Sequence, residues 1–530
     1  MSGLISRKKR AKQVEKQTDY DNTLICAIGT LKMTRKQKLL LNTGTGFIKQ
    51  IIVMVCGFIL PRYMLSYYGS SVNGLVSSIT NFLSFISLLE VGIGPVIQAN
   101  LYGPLAKKDS EQISKIIIST ERFFRRIAYI LLGYIAVLSV LFPTLINGEY
   151  DAGYTISLLL IISISTVAQY FLGATYQLLL NADQRSYIQT SLQSVTVILN
   201  TVFSIILMHF GASIHFVKLI TAVLFILRPL GQALYVRYKY QINKKLILTE
   251  EPIKQKWNGF AQHLAAVVSG NTPVVVLSFF STLANVSVYS VYYAVTNGVT
   301  QIILTAASSL EAFFGDMLAK SEQKELNSSF EMIEWLIHMA VAVIFTIAAT
   351  TIVPFVAVYT NGINDIDYVL PVFGVLLTIA YAIRCLRIPY FVIVKAAGHF
   401  KQTQNGAFIS AGLNVFLSIV LVFEFGLVGV AIGTLASMIY HTFYFVWYLR
   451  KNIINRSPLY FIKHIVVDVG IGAATALLTQ NITMTELTYL SWIVYAIEIA
   501  GVTVVTAAII GGLANYKSIL VIIKKLRKKA

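Results

Sequence analysis

Ionisable side chains lie inside stretches of this sequence that are otherwise apolar. The bases are Lys49, Arg62, Lys218, Arg228, Arg384 and Arg387, and the acids are Glu90, Glu311 and Glu424. A charge at the centre of a bilayer costs at least ~2.5–3.5 kcal/mol on insertion scales, so each group is expected to face a cavity or a partner. Because bases outnumber acids, and arginine binds phosphate through paired hydrogen bonds, the set predicts a cavity suited to a pyrophosphate.

Lys49 is the best single candidate for a substrate contact, because it lies about ten residues into its apolar segment and hence near mid-depth. The alternative is an ion pair with Glu90, which lies about fifteen residues into the next segment and enters from the opposite side. A paired charge at mid-membrane can serve both purposes. Both residues are therefore substrate-binding candidates.

The arginines are substrate-binding candidates that have a competing explanation. Arg62 lies at one end of its segment, whereas Arg228, Arg384 and Arg387 lie towards the other side of the membrane. Long basic side chains near a helix end also extend to the lipid headgroups. This alternative would explain the positions of the arginines and of Lys218 without a substrate cavity. Arg384 and Arg387 are three residues apart and share one helix face.

Four residues are candidates for gating or coupling. Gly92, Gly94 and Pro95 interrupt an apolar segment, and Glu311 precedes a polar loop. Proline removes a helical hydrogen bond and glycine weakens its neighbours, so a kink is expected here. The kink is either a bending point or static packing, and Glu311 is either functional or only a cap or ion-pair partner.

The composition shows what must position these residues. Of the 530 residues 56% are hydrophobic and 13% are charged, whereas a soluble domain has about 25% charged residues. Apolar runs of about 20 residues recur along the chain, each long enough to cross ~30 Å of hydrocarbon. The chain is therefore predicted to be an all-α polytopic membrane protein.

Fourteen transmembrane helices are predicted. They span 39–61, 75–101, 122–146, 154–180, 188–209, 214–236, 258–281, 287–314, 335–358, 368–394, 405–424, 427–449, 461–480 and 487–514. The loops on the side of the N-terminus, with the tails, contain all but six of the 43 Lys and Arg residues. Because Lys and Arg accumulate in cytoplasmic loops, both termini are expected in the cytoplasm. The net charge of +19 is then explained by topology and anionic headgroups, and not by nucleic acid.

An internal repeat is visible. The segment 198–207 aligns with 412–421, with five identities at an offset of 214, including Asn200 with Asn414 and Ser204 with Ser418. The segments 103–107 and 315–320 match at nearly the same offset. Six helices fit this period, so two halves of the same orientation are expected around an axis along the membrane normal.

The predicted organisation follows from the helices and the repeat. It comprises a basic tail at 1–38, an N-lobe at 39–237, an inter-lobe linker at 238–257, a C-lobe at 258–449, two additional helices within 450–514 and a basic tail at 515–530.

The segments 57–109 and 396–422 resemble the bacterial polysaccharide transporters. These are the Wzx-type oligosaccharide-lipid flippases of the multidrug/oligosaccharidyl-lipid/polysaccharide exporter superfamily. The resemblance implies two pseudo-symmetric six-helix lobes plus two C-terminal helices, alternating access, and an undecaprenyl-pyrophosphate-linked oligosaccharide as cargo for capsule or O-antigen export. It also implies location in the cell membrane, and a polysaccharide polymerase and glycosyltransferases of the same pathway as partners. Coupling to H⁺ or Na⁺ is open, and no other cofactor is expected.

Three alternatives stay open. A peptidoglycan lipid-precursor flippase shares the helix count and a cationic cavity, whereas a multidrug antiporter usually has twelve helices and intramembrane acids. An enzyme is disfavoured because the predicted outer loops are short and because no catalytic motif or metal-ligand spacing is present. No catalytic residue or metal ligand is therefore assigned.

Overall fold

The computed structural model describes residues 34–90, 93–146, 148–246, 260–307, 310–454 and 456–514, which contain no β-strand. Eleven runs of helix in this part are long and apolar enough to cross a membrane, and Leu264–Phe280 is a shorter apolar helix. Two of the eleven runs are each divided by a glycine of non-helical conformation, Gly69 (φ 81°) and Gly426 (φ 53°). The described residues therefore contain fourteen spans, which confirms the predicted all-α polytopic fold.

The first six helices begin with the run Arg35–Ser84, which Gly69 divides. They are α1 at 35–68, α2 at 70–84 and Gly94–Lys107 with the 3-10 turn Phe85–Leu89 between, α3 at Ser110–Leu145, α4 at Ala152–Ala168 and Ala174–Ala182 with the π-helical turn Gln169–Gly173 between, α5 at Ser186–His209 and α6 at Ile214–Lys239.

The remaining helices include the run Phe400–Asn452, which Gly426 divides. They are α7 at Phe260–Phe280, α8 at Leu283–Ala307 and Leu310–Ala319, α9 at Gln323–Tyr359, α10 at Pro371–Leu386 and Ile388–Ala396, α11 at 400–425, α12 at 427–452, α13 at Leu459–Thr479 and α14 at Tyr489–Ala514.

Several helices are longer than the sequence predicts. The predicted gap between the first two helices is a single turn at Gly69, and the segments 102–121 and 315–334, expected as loops, are largely helical. Hydropathy marks only the apolar part of a helix, whereas amphipathic turns continue into the polar region. Much of the predicted tails and linker (1–33, 247–259 and 515–530), together with Gly92, lies outside the described residues.

Two hydrophobic cores position the helices. One is formed mainly by α1–α6 around Phe124, Phe142 and Leu179, and the other mainly by α7–α13 around Phe330 and Phe373. The sets α1–α6 and α7–α12 are called the N-lobe and the C-lobe below; the predicted boundaries at 237 and 258 stay a prediction. A further small core joins α13 and α14 to α9.

The backbone confirms the repeat. Nine described residues have a positive φ, and eight of them form four pairs separated by 213 to 215 positions. The pairs are Lys108 with Ser321, Gly148 with Gly362, Gln184 with Gly398 and Gly211 with Gly426. Side-chain geometry repeats too, because Ser204 donates to Asn200 at 3.4 Å and Ser418 donates to Asn414 at 3.2 Å. The halves therefore share turn positions although few of their residues are identical.

The two faces of the helix bundle differ in charge. With fourteen spans, α1 begins and α14 ends on the same face, here called the basic face, where the connections contain Lys108, Arg185, Lys320 and Lys395. The opposite, acidic face contains Glu149 and the Asp residues of the α9–α10 loop. Large apolar side chains such as Phe210 (80% exposed) cover the outside, as is expected of a surface in contact with lipid.

Candidate functional site

The two lobes are hydrogen-bonded to each other at the acidic face. The Ser70 backbone N–H and hydroxyl donate to the two carboxylate oxygens of Asp365 at 2.6 and 2.7 Å. Because Ser70 is the first residue of α2, the carboxylate lies at a helix N-terminus, where negative charge is favoured. The Tyr368 hydroxyl lies 2.6 Å from Ser70 Oγ. Asp365 and Tyr368 precede α10, so these contacts fasten the C-lobe to the N-lobe.

Buried hydrogen bonds continue along α2 towards mid-membrane. Asn73 Nδ2 donates to Ser287 Oγ on α8 at 2.7 Å, and Ser287 Oγ lies 3.0 Å from the Tyr368 hydroxyl. Deeper, the hydroxyls of Ser78 and Ser278 are 2.7 Å apart. The residues Ser70, Asn73, Ser287, Asp365 and Tyr368 are called the acidic-face seal below.

The bonding between the lobes ends near mid-depth. Its last member on this path joins the Ser84 hydroxyl to Asn271 Oδ1 on α7 at 3.1 Å. Among the described residues, no hydrogen bond or ion pair links the lobes nearer to the basic face. Ion pairs there join residues of one lobe, as in the 3.1 Å contact between Lys38 and Asp183. In the described part of the chain, the hydrogen bonds between the lobes therefore lie between the acidic face and mid-depth.

Lys49 is partly exposed on α1, and no hydrogen bond or ion pair joins it to another residue that the structure describes. Glu90, the alternative partner considered from the sequence, accepts a hydrogen bond from the Tyr170 hydroxyl on α4 at 3.0 Å. The Lys49–Glu90 ion pair is therefore not formed, because the break in α2 positions Glu90 against α4. Lys49 has no carboxylate partner in the described residues.

Arg62 takes part in the contact between the lobes. Its Nη2 donates to the Asn361 carbonyl oxygen at 2.7 Å, and its Nη1 donates to the Ser66 hydroxyl at 2.6 Å. Asn361 follows α9, so Arg62 joins the acidic-face end of α1 to the C-lobe. Its role as a substrate contact stays a prediction.

Arg228 on α6 lies beside the π-helical turn of α4. A Cβ added to Gly173 would lie 2.8 Å from Pro229 Cβ, so the two helices approach closely here. The guanidinium lies over the Phe225 ring at 5.3 Å, and its Nε is buried without a hydrogen-bond partner among the described residues. Within the same part of the chain no carboxylate forms an ion pair with Arg228.

Arg384 and Arg387 lie at the break between the two segments of α10. The Arg384 guanidinium lies 5.7 Å from the centre of the Tyr381 ring. Arg387 Nη1 is buried without a hydrogen-bond partner among the described residues. His441 of α12 faces Arg387, and its Nε2 has no hydrogen-bond partner in the same part of the chain. No described carboxylate pairs with either arginine.

Arg228 and Arg387 occupy related places in the two lobes. The π-helical turn Gln169–Gly173 of α4 and the segment 383–387 of α10 are separated by 214 positions. The α4 turn lies against α6, and the α10 break lies against α12, where Thr442 donates to the Ile383 carbonyl oxygen at 3.2 Å. Each lobe therefore has an unpaired arginine where a broken helix meets its last helix.

The charges around these breaks are not repeated. Tyr170 and Arg384 are equivalent at the offset of 214, and so are Glu90 and Leu304. The N-lobe therefore has an acid hydrogen-bonded to a tyrosine, whereas the C-lobe has an arginine with a leucine in the place of the acid.

The gating candidates lie at the breaks in α2 and α8. Helix α2 leaves the α conformation at the 3-10 turn, and Gly94 begins its second segment with Pro95 in the first turn. The α conformation therefore ends at the 3-10 turn and resumes at Gly94, in the region where a kink is expected. Glu311, in the second segment of α8, forms an ion pair with Lys395 of α10 at 2.7 Å. Bending at Gly94 and Pro95, and coupling through Glu311, stay predictions.

One group of ionisable residues was not assigned from the sequence. Glu334, His338, Arg456, His464 and Asp468, called the buried ion cluster below, lie where α9, α13 and the α12–α13 segment meet. The sequence predicts a loop at Glu334, whereas the structure buries this residue in α9. The available signal was the four-residue spacing of Glu334 with His338 and of His464 with Asp468, which puts each pair on one helix face.

Comparisons with known proteins show the fold. No family model and no curated protein matches the sequence. A solved structure of the lipid II flippase MurJ in an inward closed conformation is similar, with a TM-score of 0.66, 16% identity and coverage of 89% of this chain and 98% of that chain. An inward-facing multidrug resistance MATE family transporter of the MOP superfamily is also similar, with a TM-score of 0.58 and 13% identity. The match covers 76% of this chain and 96% of that chain.

The Vibrio cholerae MATE transporter VcmN gives a TM-score of 0.52 and 16% identity, with coverage of 80% of this chain and 99% of that chain. All three proteins are matched over almost their entire length. The chain therefore has the fold of these flippase and transporter structures, with the larger part of it covered by the lipid II flippase.

Proposed function

We propose that this protein is a flippase that moves an undecaprenyl-pyrophosphate-linked oligosaccharide across the cytoplasmic membrane for the synthesis of a surface polysaccharide. The basic face is cytoplasmic, since Lys and Arg are retained on that side. Cargo enters between the lobes from the basic face and leaves at the acidic face by alternating access.

The observation that carries the proposal is the unpaired state of the intramembrane bases. Lys49, Arg228 and Arg387 have no carboxylate partner among the described residues, and buried nitrogen atoms of both arginines lack hydrogen bonds. A cation at this depth is costly unless an anion accompanies it. Pyrophosphate supplies the charge and the acceptor oxygens, and arginine binds it through two parallel hydrogen bonds.

The fastening of the lobes supports alternating access. The acidic-face seal closes one side, whereas no bond joins the lobes near the basic face in the described residues. The similar lipid II flippase structure is in an inward closed conformation, and the similar MATE structure with a TM-score of 0.58 is inward-facing.

The additional helices favour a lipid-linked cargo over a drug. The inward-facing MATE transporter leaves about a quarter of this chain unmatched, whereas the lipid II flippase covers 89% of it. The second candidate function is therefore transport of the peptidoglycan lipid precursor, which the same coverage favours.

The test uses Lys49→Gln, Arg228→Gln and Arg387→Gln in cells that lack their own oligosaccharide-lipid flippase. Surface polymer is measured by immunoblot, with membrane levels of each protein checked. We expect the unmodified protein to restore polymer and each variant to reduce it at least tenfold, since a charged hydrogen bond contributes about 1.5–3 kcal/mol. Lys49→Arg is expected to retain activity. Lys320→Gln, in an exposed ion pair, is the matched control.

Growth rescue in cells depleted of their lipid II flippase separates the two cargoes. Rescue there without restored polymer would replace the first proposal by the second. Full export by all three Gln variants would remove the role of these bases in binding.

A further inference from the structure

The buried ion cluster contains none of the bases proposed to bind cargo. The side chains of Glu334 and His338 on α9 are 0% and 1% exposed. Arg456 Nη1 lies 2.7 Å from Glu334 Oε2, and the Tyr390 hydroxyl of α10 donates to Glu334 Oε1. The aliphatic and aromatic side chains around Glu334 include Phe461 of α13. A carboxylate and a guanidinium are therefore enclosed together at the cytoplasmic ends of these helices.

The second half of the cluster joins α9 to α13. His338 Nδ1 lies 2.6 Å from Asp468 Oδ2, and the Asp468 side chain is 12% exposed. His464 Nε2 is 4.0 Å from Glu334 Oε2, and its ring centre is 5.1 Å from that of His338. The cluster is thus continuous from Glu334 to Asp468.

The other charged groups near the cluster lie at its edge. Glu331 is exposed one turn before Glu334 on α9, and Lys463 precedes His464 on α13. Arg450 of α12 lines a small cavity beside Arg456. None of these three is enclosed with the carboxylates.

The charge of the cluster requires one additional proton. Two carboxylates and one guanidinium give a net charge of −1 when both imidazoles are neutral. A net charge enclosed by apolar side chains is costly, and one bound proton removes it. His338 Nδ1 and Asp468 Oδ2 are 2.6 Å apart, within hydrogen-bond distance, so one proton can lie between these two groups.

The cluster also has two atoms without a described partner at its His338–Asp468 end and a small cavity at its Glu334 end. His338 Nε2 and Asp468 Oδ1 are buried without hydrogen-bond partners among the described residues. A cavity of about 10 Å³ lies beside Glu334 and Arg456, on the side of the α12–α13 segment. That volume is about the size of one water molecule.

We propose that the buried ion cluster is a proton-binding site in which His338 and Asp468 share one proton that exchanges with water at the basic face. The bound proton makes the contact between α9 and α13 an ion pair. Its release leaves the cluster with an enclosed negative charge and loosens α13 from the C-lobe. The strength of the contact between α13 and the C-lobe therefore depends on the proton concentration at the basic face. This dependence does not require a particular cargo.

The first test is the protonation state of His338 in the full-length protein in nanodiscs at pH 7. Nitrogen NMR of ¹⁵N-histidine distinguishes imidazolium from neutral rings, and His338→Gln assigns one signal among the seven histidines. We expect imidazolium in the unmodified protein and a neutral ring in Asp468→Asn, since Arg456 then balances the single remaining carboxylate. Glu334→Gln provides a second variant with the same expected result if Asp468→Asn does not fold.

Asp316→Asn, which alters an exposed ion pair, is the matched control and should leave the His338 signal unchanged. A neutral His338 in the unmodified protein, or imidazolium unchanged in both carboxylate variants, would overturn the proposal. Amide hydrogen exchange tests the mechanical consequence at one pH. We expect α13 amides of His338→Gln to exchange about fivefold faster or more, with α5 unchanged; equal exchange in α13 would refute the role in holding that helix.

Discussion

Asn73 and Ser287 are hydrogen-bonded to each other across the lobe interface, and they are 214 positions apart, which is the spacing of the repeat. Equivalent residues of two halves meet only on the axis that relates the halves. The Asn73–Ser287 bond therefore marks where that axis passes between α2 and α8. Movement of the lobes about the interface must stretch or break the Asn73–Ser287 bond. Substitution of Asn73 is therefore a direct test of the acidic-face seal.

Replacement of Asn73 by Leu is expected to weaken the closed acidic face. The loss of one buried hydrogen bond is worth about 1 kcal/mol, which shifts a closed-to-open equilibrium about fivefold. Spin labels at Phe210→Cys and Phe425→Cys, two exposed and equivalent positions, report the distance between the lobes. The native cysteines are first replaced by serine.

The matched control for Asn73→Leu is Asn100→Leu. Asn100 is an exposed asparagine of α2 whose Nδ2 donates to the Val96 carbonyl oxygen of the same helix at 2.8 Å. We expect a longer-distance population to grow only in the first variant. Identical distance distributions in both variants would contradict the role of Asn73 in the seal.

Gly74→Ala is expected to prevent full closure of the acidic face. A Cβ at Gly74 would collide with the backbone of Leu283, at the start of α8, and backbone atoms cannot move aside as a flexible side chain does. The same spin-label pair should show a wider separation, and transport should fall. Gly133→Ala is the control, because no atom lies within 4 Å of its added Cβ. Normal closure in Gly74→Ala would contradict the prediction, because it would show that the lobes can shift at Gly74 to make room for the added Cβ.

Asp183→Asn is expected to destabilise the protein at neutral pH. Burial raises the pKa of the Asp183 carboxyl, but the Tyr240 hydroxyl, which donates at 2.6 Å, lowers it. The neighbouring charges of Lys38 and Arg185 lower it further, so that the pKa lies below its ordinary value of 3.8. Loss of a hydrogen-bonded charge costs about 1.5–3 kcal/mol.

The sign of the pH effect follows from that shift. A carboxyl whose pKa is lowered by folding stabilises the protein above its unfolded-state value of 3.8, and the contribution is lost as pH falls through the lower folded-state value. Thermal unfolding in detergent should therefore separate the unmodified protein from Asp183→Asn equally between pH 6 and 8. The difference should shrink below about pH 4; a difference that persists at the lowest pH would assign it to packing.

A double-mutant cycle of Glu311→Gln and Lys395→Gln tests whether their ion pair has a role besides stability. Both side chains are over a third exposed, so the coupling energy for unfolding should be only about 0–1 kcal/mol. If Glu311 couples cargo movement to the basic-face ends of α8 and α10, transport falls in both single variants although stability does not. Transport that remains normal would leave the pair as a surface contact.

The sequence was sufficient to predict the fold because the membrane restricts it so strongly. Apolar runs, loop charges and the match between 198–207 and 412–421 were enough for fourteen helices and a repeat. The same patterns do not predict where each helix begins, ends or breaks. The turn at Gly69 lies within a nearly continuous helix, whereas the break of α10 at Arg387 comes just before Pro389, which lies in the first turn of the second segment.

The candidate site was predicted less completely. Residue types identified Lys49, Arg228 and Arg387 as candidates, but only the structure shows that no described acid pairs with them and that Glu90 contacts Tyr170. The buried ion cluster depends on packing between α9 and α13, and no local pattern encodes contact between helices more than 100 residues apart. Position within a hydropathy profile also misassigned Glu334, because polar residues near a helix end look the same whether they face water or another helix.

The unequal charges at repeated positions have an electrical consequence. Glu90 lies beside Tyr170, and Arg384 stands at the repeat equivalent of Tyr170, so the acid of one lobe and the base of the other lie at a similar depth. The charge difference thus runs sideways, in the plane of the membrane, rather than along its normal. In the transport proposed above, this sideways difference would attract an anionic headgroup towards the C-lobe without moving it along the membrane normal.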